Sequence, residues 1–160
     1  MNDFVIPSLE EIKSLCLRYK SENKKIVFTN GCFDILHSGH VDYLSKAKEC
    51  GDVLIVAINS DKSVRSIKGD KRPILSENDR AFLVYNLKAV DHVLLFDEDT
   101  PATVIETLIP DVLVKGADWD ENKIVGRDTV LKNGGEIKRI DFVSKLSTSG
   151  IIDMIRTKYK

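Results

Sequence analysis

Short apolar runs alternate with amphipathic stretches along the whole chain. Ile26-Val27-Phe28-Thr29 is β-rich and closes on Asn30-Gly31, a breaker pair. Val53 to Ile58 is continuously apolar, the pattern of a strand buried on both faces of a parallel sheet. Val93–Phe96, Val112–Val114 and Glu136–Ile140 supply three further strands. Helical patterns separate them. Ser8-x-x-Glu11 fits a capping box ahead of Leu9, Ile12, Leu15 and Cys16 on one face. The spacing then predicts helices from about Gly39 to Glu49, with Gly51 as a stop, and from Ser76 to about Lys88. Another runs to about Ile109, with Thr100 as cap and Pro101 at the first helical position; a short one lies near Thr129–Lys132. Ser147 or Thr148 caps a last helix through about Arg156.

Five strands joined by helical crossovers predict an α/β fold, a single-domain, doubly wound, Rossmann-like five-stranded parallel sheet. No internal repeat or linker interrupts it; residues 1–24 read as a helical extension and 25–160 as the domain. Ligands of such sheets bind beyond the carboxyl ends of the strands, where the strand order switches, and the first strand usually borders that switch. The loop after Thr29 is therefore the first candidate site.

Composition narrows the ligand. With 160 residues, 42% of them hydrophobic, the chain can build one core. Its 24 basic and 25 acidic residues leave a net charge of −1, which argues against holding duplex nucleic acid by bulk electrostatics. A small phosphate-bearing ligand needs only a few cations in one cleft. No apolar run approaches the roughly 20 residues of a membrane span, and Met1-Asn2-Asp3 lacks a signal-peptide charge pattern. Neither a nucleic-acid partner nor a membrane is expected. Cys16, Cys32 and Cys50 cannot pair completely, which suits a reducing cytoplasm.

The loop after the first strand reads Thr29-Asn30-Gly31-Cys32-Phe33-Asp34-Ile35-Leu36-His37-Ser38-Gly39-His40. Residues three apart share a helix face, so His37 and His40 can point at one ligand. Gly39 lets that ligand approach the backbone, and the free amides of the first turn favour an anion. Imidazoles near neutral pH donate to phosphoryl oxygens without a fixed charge in the empty site. The arrangement suits a polyphosphate. Cys32, His37 and His40 are also metal-ligand types, but their spacing is no zinc pattern and a fourth ligand is missing, so no metal site is expected.

Phe28–His40, with the HxGH tetrad at His37–His40, resembles the nucleotidyltransferase superfamily of cytidylyltransferases and small-molecule adenylyltransferases. The resemblance continues through Asn59-Ser60-Asp61-Lys62-Ser63-Val64, Lys68-Gly69, Arg72-Pro73-Ile74 and Asp79-Arg80. It runs on in Glu98-Asp99-Thr100-Pro101, Pro110–Trp119 with Lys115-Gly116-Ala117-Asp118, Ile124-Val125-Gly126 and Leu146-Ser147-Thr148. The full set, from about Lys25 to Arg156, is similar to the D-glycero-β-D-manno-heptose 1-phosphate adenylyltransferase family. Members are often the second half of a bifunctional chain that begins with a sugar kinase. A chain of 160 residues has no room for that half, so the stand-alone form is expected. Two departures stand out: Ser144-Lys145 replaces a Glu-Gly pair, and Ser149 replaces the last threonine of Leu-Ser-Thr-Thr. Phe142–Lys145 also lacks the arginine of the glycerol-phosphate cytidylyltransferases, which weakens a cytidylyl reading.

The resemblance implies a cytoplasmic enzyme that joins ATP to heptose 1-phosphate, releasing pyrophosphate and ADP-heptose for lipopolysaccharide or other surface glycans. Mg²⁺ would be carried on the phosphates. His37, His40 and Lys68 form the implied catalytic set. Thr29, Asn30, Gly31, Cys32, Phe33, Gly39, Lys115, Gly116, Ser147, Thr148 and Ser149 join the histidines around the nucleotide, with adenine near Gly116. Asp34, Asn59, Asp61, Arg72, Arg80 and Asp118 fall to the sugar phosphate, and Lys71 to solvent. Several have plainer readings: Phe33 as core, Cys32 as a small packed residue, Ser147 as a helix cap, Arg80 paired with Asp79, and Asp61 as a cap or a partner for a basic residue. A different acceptor (glycerol-phosphate, pantetheine-phosphate or FMN type), a nucleotide-binding module without turnover, and a homo-oligomer remain alternatives.

Overall fold

The computed structural model describes residues 4–141 and 146–159. The five apolar runs become β1 (Ile26–Gly31), β2 (Val53–Asn59), β3 (His92–Phe96), β4 (Val112–Gly116) and β5 (Glu136–Ile140). They form one parallel sheet in the order β3-β2-β1-β4-β5. The chain moves outward from β1 to β3, then crosses back to lay β4 on the other side. The switch in strand order thus lies between β1 and β4.

Both faces are covered, which is why the strands read as unbroken apolar runs. Ile26, Phe28, Ile55, Leu94 and Leu113 pack under α1 (Leu9–Ser21), α5 (Ala102–Leu108) and α6 (Arg127–Lys132). Val27, Leu54, Val56, Val93 and Val114 face α2 (Ser38–Lys48) and α4 (Glu77–Tyr85). The capping box at Ser8 and Glu11 forms, and α1 sinks Ile12 and Cys16 into the first of these layers.

Three local expectations change. An unpredicted helix, α3 (Asp61–Lys68), follows β2; Ser60 caps it by accepting the Ser63 N–H, and Gly69 ends it at φ +89°, a left-handed backbone that favours glycine. Thr100 does not cap α5, because Pro101 takes the cap position with no side-chain bond. A single 3₁₀ turn over Glu121–Lys123 carries the chain from β4 towards α6. The last helix, α7 (Thr148–Lys158), is capped by Ser147.

Candidate active site

β1 pairs with β2 as far as Gly31, and β4 pairs with β5 as far as Gly116. Between themselves, however, β1 and β4 pair only at Val27–Val112 and Phe28–Leu113. Beyond those residues the two central strands part. Lys115 lies in this parting, 7% exposed, and its ammonium donates to the carboxamide oxygen of Asn30 on the other strand. The ammonium also lies 5.6 Å from the centre of the Trp119 ring. Among the described residues no carboxylate pairs with it, and burial lowers its pKa to about 8.

α2 starts at the same end of the sheet. His37 occupies its cap position without making a side-chain cap bond, so the ring is free for other work. His37 and His40 stack with ring centroids 3.9 Å apart and planes 27° from parallel. The Nδ1 atoms of both rings are buried without a protein partner, an arrangement normally satisfied by a ligand or water. Phe33 supports the stack from 5.3 Å beside His40 and has a left-handed backbone at φ +47°. A bulky residue at such an angle is strained, as residues at functional sites often are. Gly31 makes room for that ring, since a Cβ there would come within 3.0 Å of it. Burial depresses the pKa of His37; burial, reinforced by the neighbouring His37, brings that of His40 to about 4. At pH 7 the stack is neutral. Thr29 is turned away, sharing a 2.8 Å hydrogen bond with the Tyr43 hydroxyl inside the core.

The flank towards β2 is built from two ion pairs, each with one side chain fully buried and the other partly exposed. The Asp34 carboxylate accepts from Arg72 Nε and from the backbone N–H groups of Ile74 and Leu75 at 2.7 and 3.0 Å. Arg80, fully buried, donates to Asp61 at 2.8 Å, to the Leu75 carbonyl at 3.2 Å and to the Cys32 carbonyl. Glu77 accepts the Asp61 N–H at 2.7 Å. Asp34 and Arg80 therefore direct their polar atoms inward and tie the loop after β1 to residues 72–75 and to α3. Buried Asn59 donates to Ser63 Oγ at 2.9 Å, and Ser63 donates to the Glu98 carbonyl. Cys32 Sγ lies 3.9 Å from the Asn59 oxygen; burial raises this thiol's pKa, against the opposing charges of Lys68, Arg80 and Arg72. Lys68 itself is exposed at the end of α3, as is Lys71 beyond it.

Other predicted residues lie apart from this cluster. Gly39 is buried in the first turn of α2 and Gly116 at the end of β4, while Asp118 is exposed. Ser147 accepts the Gly150 N–H; Thr148 and Ser149 open α7, whose described hydrogen bonds and ion pair all stay within the helix and its cap. No described contact joins these three residues to the histidine stack. Ser144 and Lys145 lie outside the described residues. A depression of about 700 Å³ at the amino ends of the strands is lined by Lys20, Lys24, Lys25 and Glu136. Its lysines are already matched, to the Ile109 carbonyl, Glu22 and Glu136 respectively.

Residues 28–153 match the family model for cytidylyltransferase-like proteins. The chain belongs to the cytidylyltransferase-like family. It is therefore a nucleotidyltransferase by family, and the histidine stack and the parting both lie at the carboxyl ends of its strands. The bifunctional protein HldE of Citrifermentans bemidjiense is 50% identical over 158 residues, covering 99% of this chain and 32% of that protein. HldE of Wolinella succinogenes is 51% identical over 151 residues, covering 94% of this chain and 31% of that one. The chain thus spans about a third of the length of the curated relatives it matches. The crystal structure of the lipopolysaccharide core biosynthesis protein from Thermoplasma volcanium superposes with a TM-score of 0.62 at 32% identity, over 78% of this chain and 99% of that one. Among the described residues no helix of this cytidylyltransferase-like protein is long and apolar enough to cross a membrane.

Proposed function

We propose that the chain transfers AMP from ATP to D-glycero-β-D-manno-heptose 1-phosphate, giving ADP-heptose and pyrophosphate for lipopolysaccharide or other surface glycans. The observation that carries this reading is the neutral His37–His40 stack at the start of α2, with two buried ring nitrogens lacking protein partners. Its support for the heptose acceptor is the motif set over nearly the whole chain and the half-identical bifunctional HldE relatives. The likeness to the lipopolysaccharide core biosynthesis protein of Thermoplasma volcanium favours the same branch of surface chemistry. A cytoplasmic location follows from these substrates.

In this reaction an oxygen of the sugar phosphate attacks the α-phosphorus of ATP. The bond from that phosphorus to the bridging oxygen breaks, and its electron pair leaves with pyrophosphate. The nucleophile is already an anion, so no general base is required; alignment and charge stabilisation carry the rate. His37 and His40 each offer a ring N–H to the phosphates. Lys115, with no carboxylate partner among the described residues, offsets charge from the β4 side. Arg72, held through Nε by Asp34, presents its terminal nitrogens to the sugar phosphate, and Lys68 approaches from the end of α3. Ser147, Thr148 and Ser149 are assigned to the outer phosphates.

The residues do not fit a resident metal. Among those described no three His, Cys, Asp or Glu side chains gather to hold one, and Asp34 and Asp61 are engaged by Arg72 and Arg80. Mg²⁺ enters with ATP as part of the substrate.

Incubation with Mg²⁺, ATP and heptose 1-phosphate should yield ADP-heptose and stoichiometric pyrophosphate. No product above background would refute the proposal, and CTP with glycerol phosphate or ATP with pantetheine phosphate would then reveal the true pair.

A further inference from the structure

Trp119 is the chain's single tryptophan, yet the residue is left 49% exposed. Its backbone is held firmly. The N–H of Trp119 closes a turn onto the Gly116 carbonyl at 3.1 Å, and Arg139 donates to the Trp119 carbonyl at 3.2 Å. The residue is fixed while much of the indole stays open, and the ring lies 5.6 Å from the Lys115 ammonium in the parting.

We propose that the indole of Trp119 is the platform on which the nucleobase stacks, an inference that rests on the adenylyltransferase reading above. A phosphate paired with Lys115 brings its nucleoside within one nucleotide's reach of this ring. On that same reading the acceptor falls to the opposite flank, where Asp34 holds Arg72 towards it. The β4 flank offers main chain and one large aromatic surface instead. Flat π-faces of a base and an indole stack well irrespective of base identity. The ring thus supplies affinity for a nucleoside, and choice between bases falls to the surrounding backbone.

The single tryptophan also reports on itself. ATP, added without any acceptor, should quench tryptophan fluorescence, whereas inorganic tripolyphosphate, which lacks a base, should not. Trp119→Ala should raise KM for ATP by roughly 10-fold, the ordinary worth of one base–aromatic stack. The KM for heptose 1-phosphate should stay unchanged, and Trp119→Phe should recover most of the loss. Equal quenching by tripolyphosphate, an unmoved KM for ATP, or a rise confined to the sugar phosphate would each overturn the assignment. Quenching by ATP in a protein that makes no ADP-heptose would refute the heptose reading and leave the platform standing.

Discussion

Lys115 bridges the two strands that part at the centre of the sheet: its ammonium reaches Asn30 on β1 and meets no carboxylate among the described residues. Such a cation is poorly compensated in the free protein, and a phosphate can supply the missing charge. A position suited to binding an anion should therefore weaken the fold.

Lys115→Met tests that opposition. The native pKa of about 8 lies below the ordinary 10.5, so the unfolded chain binds more protons between those values and stability rises with pH through that window. Below it the full burden of a buried ammonium remains. The methionine variant should be more stable at pH 7 by about 1–2 kcal/mol, lose the alkaline rise, and lose turnover. Thermal unfolding from pH 7 to 10, beside the pyrophosphate assay, reads all three.

His40→Ala should lower turnover by roughly 10²–10³, the cost of one donor to the transition state, with the fold intact. Circular dichroism establishes the fold and steady-state kinetics the loss. Wild-type turnover in the folded variant would remove His40 from the mechanism.

The histidine stack also sets an acid limit. The pKa of His40 is about 4 against an ordinary 6.5, so the unfolded chain takes up a proton that the native ring refuses as pH falls between them. Stability should be complete above that window and decline through it. Thermal melts between pH 7 and 4 should show a smaller decline in His40→Ala than in the wild type.

Asp34→Asn keeps an oxygen for the Ile74 and Leu75 N–H groups but removes the charge that holds Arg72. KM for heptose 1-phosphate should rise roughly 10-fold, as for loss of one charge-assisted hydrogen bond, while KM for ATP stays put. A shift in the ATP constant instead would place Arg72 on the nucleotide.

The sheet was legible because burial on both faces leaves plain apolar runs, as in Val53–Ile58, and His37-x-x-His40 announced itself by following the first of them. Other features answer only to three-dimensional neighbours. α3 is only eight residues long and mostly polar, and its two apolar side chains, Val64 and Ile67, are too few to set a helix apart from a loop; the cap at Ser60 and the stop at Gly69 were the available signals. Arg80 sits one position after an acidic residue on a helix, which suggests a surface pair. Its burial depends on Asp61 and on the carbonyl of Cys32, 48 residues away. The early parting of β1 and β4 has no sequence signature at all, because Thr29–Gly31 and Val114–Gly116 each remain good strand for their other neighbour. Without it Lys115 is only an odd residue in a buried strand.

Because that parting comes from where two backbones stop pairing, its location is fixed by topology and not by the side chains that line it. Positions 30, 37, 40 and 115 are tenants of an address that main-chain geometry defines. Exchange of those side chains should alter what binds there, or end turnover, without moving the address.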